Sequence, residues 1–192
     1  SDAIGQTVTV TRLYIAFDDS NNALLNINAG FDGFHTRGGQ SLYQDDFGGT
    51  TSDSINPGAF PFVPSVEWDS YIGLGPLTGP TTAVANPDFA FADDGLSGSW
   101  AAIPINSEPL IYPGNAGGPY AIQDASSGLS LVFVGQFTVL GDIDEYTEIP
   151  DFNPRNPQIY SNAFGGAFAS INWIDSEENR FLTFSLNTHI VP

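Results

Sequence analysis

Residues 129–140, LSLVFVGQFTVL, are a nearly unbroken apolar run with a glycine on either side, and they indicate the fold. The run is too short to cross a membrane and lacks the three-to-four spacing of an amphipathic helix. Its β-branched and aromatic residues predict a central strand that is buried on both faces. Strict alternation places Phe133 and Phe137 on one face and Val132 and Val134 on the other. We therefore expect the rest of the chain to be built around this strand.

Further strands are predicted on both sides of this run. Gly135, inside it, indicates a β-bulge or the close approach of another backbone. Residues 4–17 alternate as one long strand, and residues 23–29 are expected to return beside it, because the Asp, Asn and Ser residues between them favour a hairpin turn. The other candidate strands are residues 63–74, 83–85, 89–91, 99–105, 120–123, 167–174 and 181–190, of which the last two form a C-terminal hairpin.

These strands predict an all-β fold. We expect a single domain over residues 1–192, arranged as a β-sandwich of jelly-roll type with long loops rich in Gly, Pro and Asp. Residues 30–61 form the longest of these loops, and only single helical turns are expected anywhere. Residues 1–11 could extend as a strand that is available for pairing with another subunit.

The charge of the chain narrows the range of partners. It contains 22 acidic residues against four arginines and no lysine, which gives a formal net charge of −18. A field of this sign repels nucleic acid and anionic membrane surfaces, so neither is expected as a partner. No stretch is long and apolar enough for a membrane span.

Two missing residue types point to the origin of the chain. Cys is absent, so neither disulfides nor thiolate metal sites are expected to stabilise the fold. Met is also absent, and Ser1-Asp2-Ala3 suits a mature terminus after removal of a signal peptide. The sequence therefore predicts a secreted, extracellular protein, located at the cell surface.

Acidic turns suggest one possible cofactor, Ca²⁺. Calcium takes six to eight oxygen ligands, and turns rich in Asp, Asn and Gly offer carboxylate and carbonyl oxygens together. The alternative is that these turns are simply solvated. The first candidate group is Asp142, Asp144, Glu145 and Glu148, and the second is Asp93 with Asp94.

Signals for catalysis are weak, and we expect that the protein is not an enzyme. His35 and His189 lack metal-ligand spacing, and no nucleophile elbow is present. The sharpest carboxylate pair is Glu67 with Asp69, which would leave the same face of the predicted strand at 63–74. A solvated or hydrogen-bonded sheet edge is the favoured explanation of this pair.

Aromatic residues in turn-rich segments suggest polysaccharide as an alternative partner. Rings that project from turns can form a platform on which sugars stack, although the many phenylalanines suit core filling better. The candidate platform residues are Tyr43, Trp100, Tyr112, Tyr120, Tyr146 and Tyr160.

The N-terminal strand suggests self-association. An exposed strand edge is a template for pairing with another chain, and Pro and Lys are the residues that usually prevent it. Residues 1–11 contain neither, and Asp2 is their only charged residue. The candidate assembly residues are Thr7, Val8, Thr9 and Val10, although this segment could instead pair only within its own sheet.

Several segments resemble a group of uncharacterised secreted, β-rich surface proteins of planctomycetes and other environmental bacteria, some with PEP-CTERM-type sorting tails. The similar pieces are TRLYIAFDDSNNALLNI, YQDDFGGTTSDSINPGAFPFVPSVEWDSYIGLG, GLSGSW and LVFVGQFTVL, in order over roughly residues 11–140. The resemblance implies an exported, surface-associated protein with a structural or adhesive role, and it assigns no catalytic residues.

The sequence as a whole predicts an extracellular structural or surface protein that self-assembles into fibres or a layer. Pairing of β-strands between subunits is the expected mechanism, with Ca²⁺ as support. A carbohydrate-binding module is the alternative, and a glycoside-active enzyme is less favoured.

Overall fold

The computed structural model describes residues 5–29, 34–36, 40–78, 83–92, 95–104, 106–107, 110–141, 164–174 and 179–187. Strands make up 48% of the structure and helix 9%, so the predicted all-β class is confirmed. The described residues contain no helix that is long and apolar enough to cross a membrane.

Fourteen β-strands are described, numbered in chain order. They are β1 (Val8–Phe17), β2 (Ala23–Asn28), β3 (Phe34–Thr36), β4 (Tyr71–Gly75), β5 (Ala83–Ala85), β6 (Ala90–Ala92), β7 (Gly95–Ser97), β8 (Ser99–Ala102), β9 (Asn106–Ser107), β10 (Leu110–Ile111), β11 (Ile122–Asp124), β12 (Leu129–Leu140), β13 (Phe164–Ile174) and β14 (Asn179–Asn187). Short 3₁₀ helices cover Ser52–Ser54, Pro57–Ala59 and Pro64–Trp68.

The apolar run is the central strand of a four-stranded antiparallel sheet, as the sequence predicts. One edge of β12 pairs with β1 along almost its whole length, from Val8 opposite Leu140 to Phe17 opposite Ser130. The other edge is shared by β11 and then β4. Both edges of β12 are therefore hydrogen-bonded, and ten of its twelve residues are buried.

The structure confirms both features predicted at Gly135, a β-bulge and the close approach of another backbone. The register with β1 slips beside it, and a Cβ placed on Gly135 would lie 2.9 Å from the carbonyl oxygen of Tyr71. Because the slip reverses the alternation, Val132 and Phe137 enter the same core, whereas Phe133 faces the opposite side. The face assignment by strict alternation is therefore wrong across the bulge.

The second large sheet contains eight strands in the order β5–β8–β2–β13–β3–β7–β6, with β14 paired to β13. Strand β13 resembles β12 in its pairing: β14 runs along one edge, and β2 and β3 share the other. The predicted C-terminal hairpin strands do pair with each other, and the connection between them lies outside the described residues. The remaining two described strands, β9 and β10, pair with each other.

The predicted hairpin between the first two strands is wrong, because β1 and β2 belong to different sheets. The turn itself is present: the backbone N–H of Asn21 donates to Asp19 Oδ1 over 2.8 Å. The strand that follows it has other partners, since the N–H of Leu24 donates to the carbonyl of Gly114. Turn composition predicts a reversal of the chain but not which strand lies beside it.

One core joins the two sheets. Leu13 and Ile15 of β1 meet Leu24 and Ile27 of β2 in it, and all four side chains are fully buried. Trp100 of β8 connects the sheets directly, because its indole N–H donates to the carbonyl of Gly73 in β4 over 3.3 Å.

A smaller apolar cluster covers the other face of the four-stranded sheet. Phe133 lies at its centre, with the rings of Tyr14 and Tyr71 5.7 Å and 6.0 Å away. Ile55 and Val66, from the segment with the 3₁₀ helices, complete the buried part of this cluster. The central strand is therefore covered on both faces.

The structure corrects the predicted strand at residues 63–74. Only Tyr71–Gly75 is a strand, whereas Pro64–Trp68 is a 3₁₀ helix. Pro64 at the start of that helix has the fixed φ angle and missing N–H that suit a first helical turn and weaken a strand. Alternating polarity alone did not reveal this.

Candidate assembly edge

The predicted assembly residues lie at the start of β1 and its approach. Val8, Thr9 and Val10 belong to the strand and are half-buried, and Thr7 precedes it and is exposed. The segment pairs within its own sheet, because Val8 lies opposite Leu140. This is the alternative left open by the sequence, but it accounts for only one edge of the strand.

The direction of the backbone groups follows from two hydrogen bonds. The N–H of Gly141 donates to the carbonyl of Thr7 over 2.8 Å, so these two residues form a hydrogen-bonded antiparallel pair. On the next strand, the carbonyl of Thr138 turns away from β1 and accepts the N–H of Tyr43. Since such pairs alternate, Val8 and Val10 direct their N–H and C=O groups away from β12.

No strand pairs with this outer edge of β1 among the described residues. The edge also lacks the usual protection against pairing: β1 contains no Pro and no Lys, and Arg12 is its only charged residue. The side chain of Arg12 is occupied on the sheet surface, where Nε donates to Gln136 Oε1 over 3.0 Å. The outer edge therefore presents backbone donors and acceptors without a blocking residue.

The predicted calcium ligands belong to segments that the structure does not describe. Asp142, Asp144, Glu145, Glu148, Asp93 and Asp94 all lie outside the described residues. Within the part of the chain that is described, no group of three or more His, Asp or Glu side chains could hold a metal ion.

The structure does not assemble the predicted aromatic platform from the described tyrosines and tryptophan. Trp100 is a core residue with no exposed surface, in edge-to-face contact with Phe89. Tyr43 is tied to Asp45 by a 2.9 Å hydrogen bond from its hydroxyl, and Tyr120 is 38% exposed. Tyr112 is half-buried, and Tyr146 and Tyr160 lie outside the described residues.

The carboxylate pair Glu67 and Asp69 does not share a strand face. Glu67 is exposed at the end of the 3₁₀ helix, whereas Asp69 is completely buried. The Asp69 carboxylate accepts three backbone N–H groups, from Asp45, Gly49 and Ser70, at 2.8–3.0 Å. Its oxygens are therefore occupied in attaching the 45–49 turn to the start of β4.

The sequence did not predict that the pKa values of the side chains around this turn are shifted. Burial raises the pKa of Asp69 to about 6, against the opposing effect of its three N–H donors. Burial and the hydrogen bond to Asp45 raise the pKa of Tyr43 to about 12. Burial acts on Asp45 in the same direction, but hydrogen bonds from Ser65, the Phe47 N–H and Tyr43 hold its pKa below the usual value. Asp69, Tyr43 and Asp45 therefore belong to one hydrogen-bonded group that attaches the 45–49 turn to the sheet.

Two phenylalanine side chains are unusually exposed, Phe47 at 73% and Phe62 at 84%. Phe47 belongs to the turn held by Asp69, and Phe62 lies just before the 3₁₀ helix that begins at Pro64. Nothing in the sequence distinguishes them from nearby phenylalanines such as Phe60, which packs against the smaller apolar cluster around Phe133.

Comparison with known proteins provides no relative. No family model matches the chain, and no curated protein or solved structure matches it significantly.

Proposed function

We propose that this protein is an extracellular structural or surface component that self-assembles into fibres or a layer by β-strand addition between subunits. The observation that carries the proposal is the outer edge of β1, where Val8 and Val10 direct backbone groups away from the sheet without a described partner strand. In strand addition, such groups supply the affinity by forming main-chain hydrogen bonds with the added strand. A jelly-roll sandwich is the arrangement that we propose for the domain.

The composition and charge of the sequence support the proposed extracellular location rather than the proposed mechanism of assembly. The composition, without Cys and with a net charge of −18, suits a protein exposed to salt water. Salt or divalent cations would screen the repulsion between such subunits, so we propose that Ca²⁺ supports the assembly.

The first test compares the full chain with a truncated chain that starts at Thr11. Sedimentation velocity over a range of concentrations should show growing assemblies for the full chain and a monomer for the truncated one. Truncation also removes residues that pair with the end of β12, so a finer change is needed. Val10→Pro removes a single outward N–H, and Val10→Thr is its matched control because it keeps that N–H.

Assembly by Val10→Thr but not by Val10→Pro supports strand addition. A full chain that stays monomeric at every concentration, with and without Ca²⁺, contradicts the proposal. Loss of assembly or of thermal stability in EDTA would show the contribution of Ca²⁺, and unchanged assembly together with an unchanged melting curve would remove Ca²⁺ from the proposal.

Carbohydrate binding is a second candidate, and the exposure of Phe47 and Phe62 is the observation that favours it. Exposed rings can stack on sugar faces, as the sequence predicts for other aromatic residues. Binding on a glycan array that disappears in the double variant Phe47→Ala and Phe62→Ala would support this function, and an array without any binding would contradict it.

A further inference from the structure

Long, singly paired strands occur at two places among the described residues. They are β1, with ten residues, and β14, with nine. Within the part of the chain that the structure describes, β1 pairs with β12 alone, and β14 pairs with β13 alone. The other outermost strands of the two large sheets, β4, β5, β6 and β11, have three to five residues each and offer little length for pairing.

These two strands lie in different sheets, and this decides what kind of assembly they can form. Pairing of β1 with β1 of a second copy uses the same surface twice, so it gives a closed dimer and leaves no β1 edge for growth. Pairing of β1 with β14 uses two different surfaces. Each added subunit then presents a new free edge, and growth continues.

We propose that the partner of β1 is β14 of a second copy of this chain, so that assembly proceeds head to tail. This inference rests on the proposed function and specifies the second surface that a fibre requires. The proposed contact is made by the backbone N–H and C=O groups along the edge of β14 that faces away from β13.

The charge distribution supports this pairing. Although the chain carries 22 acidic residues, neither β1 (VTVTRLYIAF) nor β14 (NRFLTFSLN) contains one. Arg12 and Arg180 are the only charged residues of the two strands. Within the two strands, therefore, no acidic side chain of one copy lies beside an acidic side chain of the other.

The two arginines need not oppose each other. If the strands overlap in antiparallel fashion with Val8 opposite Asn187, then Arg12 lies opposite Thr183 and not opposite Arg180. Like charges directly opposite each other would weaken the contact, and within the two strands this register avoids such an arrangement.

The test uses two variants that each block one edge. Val10→Pro blocks β1. For β14 we would prepare Thr183→Pro and Phe184→Pro, because adjacent residues of an antiparallel strand direct their N–H groups to opposite edges. The variant that keeps the wild-type melting temperature is the one that replaces an outward N–H, and it is used as the β14 block.

Each blocked variant alone should sediment as a monomer of 20.4 kDa. Mixed in equal amounts, they should form a heterodimer of roughly twice that mass and nothing larger, because only one compatible pair of edges remains. A β14-blocked variant that forms dimers or longer assemblies by itself overturns the inference.

A second measurement does not depend on proline. Because the chain has no Cys, single cysteines can report contacts between copies without interference. A Val10→Cys chain mixed with a Ser185→Cys chain should form mixed disulfide-linked dimers under mild oxidation, since these positions are opposite in the proposed register. Dimers of Val10→Cys with itself, without mixed dimers, would contradict the inference.

Failure of this inference can be distinguished from failure of the proposed function. A wild-type chain that never assembles contradicts both. A wild-type chain that assembles, and whose assembly is lost with Val10→Pro but not with either β14 variant, contradicts only the role of β14.

Discussion

Strands β12 and β1 are neighbours in one sheet, but among the described residues β12 has partner strands on both edges and β1 has a partner strand on one edge alone. Both edges of β12 are hydrogen-bonded, and apolar clusters cover both of its faces. Strand β1 has the main core on one face and β12 on one edge, while Val8 and Val10 direct backbone groups outward. We infer that changes in β12 affect folding, whereas changes at the outer edge of β1 affect association.

The largest effect is expected for Gly135→Val in β12. The added side chain would collide with the ring of Phe137 and the Tyr71 carbonyl, and the backbone of a central strand cannot move away. We expect the free energy of unfolding to fall by about 4 kcal/mol, measured by urea denaturation. Thr11→Val, at a half-buried position of β1, is the control and should change it by less than about 1 kcal/mol. Equal effects of the two substitutions would contradict the difference between the strands.

A pH dependence is expected from Asp69, beside β4. Because its folded pKa is about 6 and its ordinary value is 3.8, the folded state binds the proton more tightly. The contribution of this group is therefore greatest below about pH 4 and is lost as the pH rises through 6, by up to about 3 kcal/mol.

Urea denaturation between pH 4 and 7 checks this dependence, with Asp69→Asn as the control because it removes the titrating group. The difference in stability between wild type and Asp69→Asn should shrink or change sign as the pH rises. A wild-type minus variant difference that is constant with pH would show that Asp69 titrates normally.

An intermediate effect is expected for Gln136→Leu. The Gln136 amide is buried, and its nitrogen donates to the carbonyls of Glu67 and Asp69, each over 3.0 Å. Leucine would leave both carbonyls without this donor, so we expect a loss of about 2 kcal/mol in thermal or urea unfolding. Gln123→Leu is the matched control: Gln123 is exposed and water can replace its bonds, so its loss should be under about 1 kcal/mol. A loss at Gln136 no larger than that at Gln123 would contradict the structural role of this amide.

The smallest effect on folding is expected for Val10→Pro, at the edge of the sheet. Its N–H faces away from β12, so proline removes no bond of the described ladder, and the free energy of unfolding should change by about 1 kcal/mol or less. Assembly, by contrast, should disappear in sedimentation experiments. A strongly destabilised but still associating variant would reverse the assignment of roles to the two strands.

The sequence predicted the centre of the fold better than its surroundings. The run at 129–140 is apolar throughout, so its burial could be read directly, and Gly135 marked the bulge. The separation of β1 from β2 could not be read, because it depends on contacts of Leu24 with a distant turn. Likewise, the 3₁₀ helix at Pro64–Trp68 has an alternating pattern that resembles a strand.

The candidate edge was predicted only in part. The lack of Pro and Lys near Val8 and Val10 is visible in the sequence, but the direction of their backbone groups depends on the register with β12. The burial of Asp69 was hidden because its partners are backbone N–H groups, which any residue could supply. The position of β14 beside β13 also depends on backbone hydrogen bonds, so no side-chain pattern predicted that β14 is the second long edge strand.

Hydrogen exchange at individual amides of β1 is the most direct test of the central claim. The amides of Thr9 and Thr11 face β12 and should be protected at every protein concentration, whereas those of Val8 and Val10 should exchange rapidly in dilute protein. In concentrated, assembled protein, Val8 and Val10 should become protected as well. Rapid exchange of these two amides in the assembled state, or full protection in the dilute monomer, would contradict assembly through the outer edge of β1.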